Sequence, residues 1–143
     1  MQLTHHTDFS LRLLIFLSLQ EKDSLVTIDV VAQHFKIPKN HLTKVVQRLA
    51  QYAYVKTVRG KNGGICLARS AETMNIGEII QAMENNTKII NCQKPVCPLN
   101  GHCELTGILD EAQNAFFATL NKYSLADITK QPQKIKKLLN WSA

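Results

Sequence analysis

The sequence predicts a mainly α-helical protein with a β-hairpin wing: a winged helix-turn-helix followed by a long C-terminal dimerisation helix. Three observations carry this expectation. Apolar residues recur at helical spacing through three successive segments of residues 7–52, and the third segment bears a polar, basic outer face. The period then changes to alternation in two short runs that flank a glycine-rich tip. Much later, over residues 105–123, apolar residues return at three- and four-residue steps as one long stripe.

Each element has a local reason. In residues 7–20, Thr7 is placed to cap a helix, Asp8 suits its positive end, and Leu11, Leu14, Ile15 and Leu19 share a face. Thr27 is placed to cap a short helix to Phe35, with Ile28, Val31 and Ala32 turned inward. Pro38 pushes Ile37 away from helical geometry and ends that helix. A third helix follows to about Tyr52. Leu42, Val45, Val46 and Leu49 form its inner face, and Lys39, Asn40, His41, Lys44, Gln47 and Arg48 its outer one. Residues 54–58 and 65–69 alternate as strands, joined by Arg59, Gly60, Lys61, Asn62, Gly63 and Gly64. Asn75 caps a helix to Glu84 through Ile76, Ile79, Ile80 and Met83, and Pro95, Pro98 and Gly101 mark a loop over residues 85–102. Two short amphipathic pieces, 125–129 and 132–139, close the chain. The chain thus divides into a winged helix-turn-helix region, residues 1–75, and a second region, 76–143. The second holds a cysteine loop (about 85–103), a dimerisation helix (about 104–123) and a helical tail.

Composition limits the function classes. With 143 residues, 45% of them hydrophobic and 20% charged, the chain suits one globular domain and excludes wholesale disorder. The longest apolar run, residues 13–17, is far short of the roughly 20 needed to span a bilayer. No basic stretch leads into an apolar one at the start, so a cytoplasmic protein without membrane contact is expected. The net charge of +6 is unevenly placed. Residues 1–70 carry ten Lys and Arg against four acids, whereas residues 71–143 carry seven against seven. A basic first half suits a polyanionic partner.

The expected head has the chemistry of double-stranded DNA recognition. A helix fits the major groove with polar side chains aimed at base edges, and a hairpin beside it offers cations to phosphates. Lys39, Asn40, His41 and Lys44 stand where groove contacts fall, with Arg59, Lys61 and Asn62 on the wing. The glycines of the tip do not form a phosphate-binding loop, because the lysine and hydroxyl that should follow them are missing. Along the late stripe, Leu105, Ile108, Leu109, Ala112, Phe116 and Leu120 would pair two copies into a homodimer. Its two heads would then read a partly palindromic operator with half-sites about 34–36 Å apart.

Three of the four cysteines lie in Cys92-x4-Cys97-x5-Cys103. Thiolates are soft ligands that select iron–sulfur clusters, zinc or copper(I). Spacings of four and five with intervening prolines suit a loop around a bulky group better than the tight spacing of a zinc knuckle. A fourth ligand must come from elsewhere. Cys66 on the expected wing strand reads as core, His102 as a loop residue, and His5 with His6 as a solvated pair. No His or Asp partner set surrounds the cysteines as a nucleophilic enzyme would need, so an enzyme is not expected. A DNA-binding regulator stabilised by zinc or thiols remains an alternative.

Taken together, Thr7-Asp8, Lys39-Asn40-His41, Tyr54-Val55, the wing tip through Ile65, the cysteine loop and Tyr123-Ser124-Leu125-Ala126-Asp127 resemble the nitric-oxide-sensing iron–sulfur repressors of the Rrf2 family. The likeness covers nearly the whole chain. It implies a homodimer joined by the long helix, with a 4Fe–4S cluster in each subunit favoured over 2Fe–2S. The matching ligands are Cys92, Cys97 and Cys103, completed by Asp8 of the partner subunit, and nitric oxide is the implied signal. A histidine three residues after the last cysteine marks an iron–sulfur-assembly relative, and this chain has Thr106 there. A redox-sensing relative uses a glutamate and a histidine of the first helix, where this chain has Asp8 and Arg12. An Rrf2-type regulator of iron–sulfur, redox or iron status is the alternative within the family.

Overall fold

A computed structural model describes residues 2–85 and 87–141. Met1, Asn86, Ser142 and Ala143, which fall within the two expected regions and, for Asn86, the expected cysteine loop, lie outside the described residues. The order of elements is α1 (His5–Ser18), α2 (Ile28–Phe35), α3 (Lys39–Gln51), β1 (Val55–Val58), β2 (Gly64–Leu67), a 3-10 turn (Ala71–Thr73), α4 (Ile76–Met83), α5 (Glu104–Leu120), α6 (Leu125–Ile128) and α7 (Pro132–Leu138).

α1 is the central helix. Leu13, Leu14, Phe16 and Leu17 are buried along it, and α2, α3, α4, α6 and β2 all pack against it. Each such side chain contributes about 1.5–3 kcal/mol when fully removed from water. The helix starts earlier than its sequence suggests. Thr4, not Thr7, is its N-cap, with Thr4 Oγ1 accepting from the Thr7 N–H at 3.3 Å. Thr7 lies a turn further in and fully buried, its hydroxyl 3.0 Å from that of Thr4. Glu84 Oε1 accepts from the Thr4 N–H at 2.9 Å and from its hydroxyl at 3.2 Å, tying the start of α1 to the end of α4. A long-range partner therefore decides the cap. At its other end α1 stops at Ser18 rather than residue 20.

The turn from α2 to α3 is set by Lys36 in the left-handed conformation (φ 53°), with Ile37 N–H donating to Ala32 O at 3.1 Å. Pro38 then caps α3, and its carbonyl accepts from His41 N–H at 3.0 Å. Leu42, Val45, Val46 and Leu49 are the buried residues of α3, as the spacing requires. Thr27 makes no side-chain capping bond for α2. Its neighbour Val26 is instead tied to the hairpin by paired backbone bonds with Ile65 of 3.0 and 2.8 Å.

β1 and β2 are antiparallel, from Val55 opposite Leu67 to Val58 opposite Gly64. They are slightly shorter than the alternating runs. The tip turns at Gly60, whose φ of +108° few side chains tolerate. Gly64 is needed because Val26 crosses so closely that a Cβ there would meet its carbonyl oxygen at 2.8 Å.

Asn75 caps α4 as expected, its Oδ1 accepting from Glu78 N–H at 3.1 Å, and Ile76, Ile79, Ile80 and Met83 are buried. α5 ends at Leu120, three residues before the stripe does. The chain must turn there so that Tyr123 O accepts from Ile76 N–H and Met74 O from Leu125 N–H. Ser124 and Asp127 then form a capping box on α6. The tail folds back on the head, where Trp141 stacks on Phe16 with ring centroids 4.3 Å apart.

Replacing Phe16, fully buried between α1, α2 and the tail, with alanine is expected to lower stability by about 3–5 kcal/mol. Leu138→Ala, at a position 75% exposed, should change it by no more than about 0.5 kcal/mol. Urea unfolding measures both, and equally small losses would contradict this placement of the core.

Candidate functional site

On α3, the exposed side chains include Lys39, Asn40, His41 and Lys44. They are not equivalent. Lys39 Nζ pairs with Asp29 of α2 at 2.7 Å, an exposed ion pair that adds little to the packing of the two helices of the turn. Asn40 Oδ1 accepts from the His41 N–H at 2.9 Å. His41 meets the edge of Phe9 on α1 with centroids 6.1 Å apart, and Phe9 also stacks on His5 at 5.8 Å. Lys44 lines a shallow polar groove with His6, Gln47, Arg48, Gln51 and Asn85. Gln47, expected on the outer face of this helix but not among its groove contacts, is thus a neighbour of Lys44. Arg48 is held to the body: it donates to Ala82 O at 3.2 Å and lies 5.0 Å over the Tyr52 ring.

Arg59, Lys61 and Asn62 are exposed on the hairpin tip. Further down the hairpin, Arg69 covers the Tyr54 ring at 4.5 Å, and burial raises the Tyr54 pKa above the usual phenol value. His6 is half-buried rather than solvated. Burial first, then the Arg48 charge, lowers its pKa, while Glu84 opposes them.

The cysteine loop consists of tight turns. Cys97 N–H donates to Cys92 O, Asn100 N–H to Cys97 O, and His102 N–H to Leu99 O, at 3.0–3.1 Å. Cys92, Cys97 and Cys103 are half-buried, while Cys66 is buried on β2. Cys103 is the N-cap residue of α5, and Cys92 Sγ lies 3.9 Å from Thr106 Oγ1 in the first turn of that helix. The Thr106 N–H, then its hydroxyl, then the Leu105 N–H favour the Cys103 thiolate and lower its pKa, although none closes into a capping hydrogen bond. Thr106 is the residue that sequence reading missed here; its place three positions after Cys103, on the first helical turn, was the available signal.

Asp8 lies in the first turn of α1, its carboxylate 2.7 Å from Arg12. Among the described residues, no three Cys, His, Asp or Glu side chains of the single chain stand close enough to hold a metal ion. The donor chemistry nonetheless fits a cluster: three partly exposed thiols in one loop, two of them meeting at Thr106, one with its thiolate already favoured.

α5 has no buried residue among those described. Leu105 and Ile108 are 53% and 62% exposed, Ala112 is exposed, and Leu109, Phe116 and Leu120 are half-buried. Phe116 lines an apolar groove with Leu3, Ile80, Ile89 and Phe117. Leu120 and Phe117 pack against the core, leaving the first half of the helix as the open part of the stripe.

A helix-turn-helix head, a hairpin wing and a long, open C-terminal helix define a winged-helix transcriptional regulator. The sequence profile of Rrf2, described as an iron-dependent transcriptional regulator, matches residues 3–131, and the chain belongs to that family. It is 43% identical over 142 residues to the HTH-type transcriptional regulator NsrR of Bacillus subtilis (strain 168), covering 97% of each chain. With the regulator NsrR of Halalkalibacterium halodurans the identity is 41%, again over 97% of each. Among solved structures, the fold is similar to CymR, the global cysteine regulator of B. subtilis, with a TM-score of 0.75 at 18% identity, covering 91% of this chain and 97% of that one. IscR of T. potens gives a TM-score of 0.75 at 18% identity, covering 95% and 91%. Both NsrR relatives are HTH-type transcriptional regulators. Among the described residues no helix is long and apolar enough to cross a membrane.

If the exposed cations of the two elements meet DNA, Lys44→Ala and the pair Arg59→Ala with Lys61→Ala should each weaken operator binding. The wing pair should also lower the magnitude of the log–log salt slope by about 0.9 for each phosphate no longer neutralised. Lys39→Ala with His41→Ala should weaken binding too, in part by loosening α3 from Phe9. Fluorescence anisotropy over a salt series measures affinity and slope. Unchanged values in all three variants would overturn the assignment.

Proposed function

We propose that this protein is a homodimeric DNA-binding repressor that senses nitric oxide through a 4Fe–4S cluster held by Cys92, Cys97 and Cys103, with Asp8 of the partner subunit as fourth ligand. The observation that carries the reading is the mounting of the three-cysteine loop directly on α5, beside the open apolar face expected to pair two copies. A dimer joined along Leu105, Ile108, Leu109, Ala112, Phe116 and Leu120 sets each cysteine loop close to a second chain. That proximity makes a ligand from the partner chemically reasonable.

The bound cluster supplies iron that reacts with nitric oxide. The chain's own residues set the response. Three thiolates are soft, well-matched ligands, whereas a carboxylate is hard and readily exchanged, so the Asp8 position is the one open to attack. Released Asp8 has a place to go, because its pair with Arg12 closes within its own helix at 2.7 Å. That exposed (i, i+4) pair is worth only about 0.3–0.5 kcal/mol, too little to keep Asp8 from a metal. α1 packs against α3, so a change at its first turn reaches the DNA-reading helix. The head Lys39, Asn40, His41 and Lys44 with the wing Arg59, Lys61 and Asn62 then loses register on one half-site relative to the other. Loss of register can remove several of the roughly 4–10 kcal/mol that separate specific from non-specific binding.

Alanine at Cys92, Cys97 or Cys103 is expected to abolish the cluster, and Asp8→Ala to leave a cluster that is labile or open to added ligands. The test is an anaerobic gel shift on an operator with cluster-loaded, nitric-oxide-treated and cluster-free protein. Tight binding only in the loaded, untreated state is expected. Equal affinity in all three would remove the sensing role and leave the cysteines structural.

A further inference from the structure

The first turn of α5 presents one residue to both ends of the cysteine loop. Thr106 Oγ1 lies 3.9 Å from Cys92 Sγ, and Thr106 N–H donates to Cys103 O at 3.2 Å. Other helical threonines of this chain behave differently. Thr43 and Thr119 each direct the hydroxyl to the carbonyl four residues back, at 3.0 Å, and Thr7, the third residue of α1, turns its hydroxyl to that of its N-cap Thr4 at 3.0 Å. Thr106 is the third residue of its helix, so the position four residues back lies outside it, and the hydroxyl is turned toward sulfur instead. Its β-branched side chain has few rotamers to choose from, which makes it a stiff support. The flanking Leu105 and Gly107 are exposed and carry no polar side-chain group.

We propose that Thr106 is a positioning residue for the cysteine loop. Its hydroxyl pins Cys92, the first thiol, next to Cys103, the last, and donates a hydrogen bond to sulfur once the thiols are bound to iron. The second half of this proposal rests on the cluster reading above; the pin itself belongs to the metal-free chain. The direction of donation is dictated by chemistry. A metal-bound thiolate has no proton and can only accept, whereas a hydroxyl can donate. Holding the loop ends together before metal arrives removes part of the closure entropy from assembly. Hydrogen bonds to ligand sulfurs are also among the means by which a protein adjusts an iron–sulfur centre.

Two measurements on Thr106→Val and Thr106→Ser test this. Valine keeps the shape and removes the hydroxyl, while serine keeps the hydroxyl; circular dichroism checks that both retain the fold. In the metal-free protein carrying Cys97→Ser, dibromobimane should bridge Cys92 and Cys103, with the product located by peptide mass. Thr106→Val should slow bridging by about two- to tenfold, the range of one net hydrogen bond, and Thr106→Ser should stay close to the parent. In the loaded dimer, Thr106→Val should release iron to a chelator faster by a similar factor, with serine again restoring the parent rate. Valine matching the parent in both measurements would overturn the proposal. Failure of the parent chain to take up any cluster would refute the cluster reading instead, and the bridging rate alone would then decide the pin.

Discussion

Everything in this chain depends on the burial of α1. Phe16, Leu13 and Leu14 are fully enclosed, so the helix has no freedom to slide or tilt without disturbing α3, α4 and α6 at once. Its first turn is enclosed only at Thr7. Thr4 is fixed to Glu84, Asp8 pairs with Arg12 at the surface, and Phe9 stands between His5 and His41. One helix therefore carries a candidate ligand at its exposed end and the support of the reading helix along its length. In this reading, the chain needs no separate relay between sensing and DNA contact, because α1 serves both.

The tail reinforces the same arrangement from the other side. Trp141 stacks on Phe16 and on His34 of α2, and His34 Nδ1 lies 3.1 Å from Leu139 O. Lys136 covers the indole at 5.4 Å. The helix-turn-helix is thus held between a helix that precedes it and a tail at the far end of the chain. α4 and Leu125 of α6 belong to the same core as the head, so no gap in packing separates the winged region from these later helices.

Much of this was legible in the residues. The three head helices, the hairpin and α4 can be read from periodicity and capping chemistry alone, because their inner faces alternate cleanly with solvent. What escaped was set by distant partners. Thr7 looked like the cap of α1, but Glu84 selects Thr4; Tyr123 continues the spacing of the apolar stripe, but pairing with Met74 and Ile76 bends the chain away. The cysteine spacing pointed to a bulky group, and the exposed apolar start of α5 to a second copy. Thr106 was marked in the sequence only by its place three residues after Cys103, since its approach to Cys92 depends on where that thiol lies after the loop has turned on itself. His41 illustrates the same limit: a polar residue of the reading helix by sequence, it is turned onto Phe9 by the packing of α1.

The central claim is that one site is built from two chains: the cysteine loop of one subunit and Asp8 of the partner subunit. It is tested most directly by mixing subunits. A heterodimer of an Asp8→Ala chain with a Cys92→Ala chain has one complete cysteine loop, and that loop faces the subunit that keeps Asp8. If the ligand crosses, native mass spectrometry should find one cluster per heterodimer, with the absorption, circular dichroism and stability of the unaltered site. If the single cluster instead behaves like that of the Asp8→Ala homodimer, the carboxylate acts within its own chain or not at all, and the two-chain site is wrong.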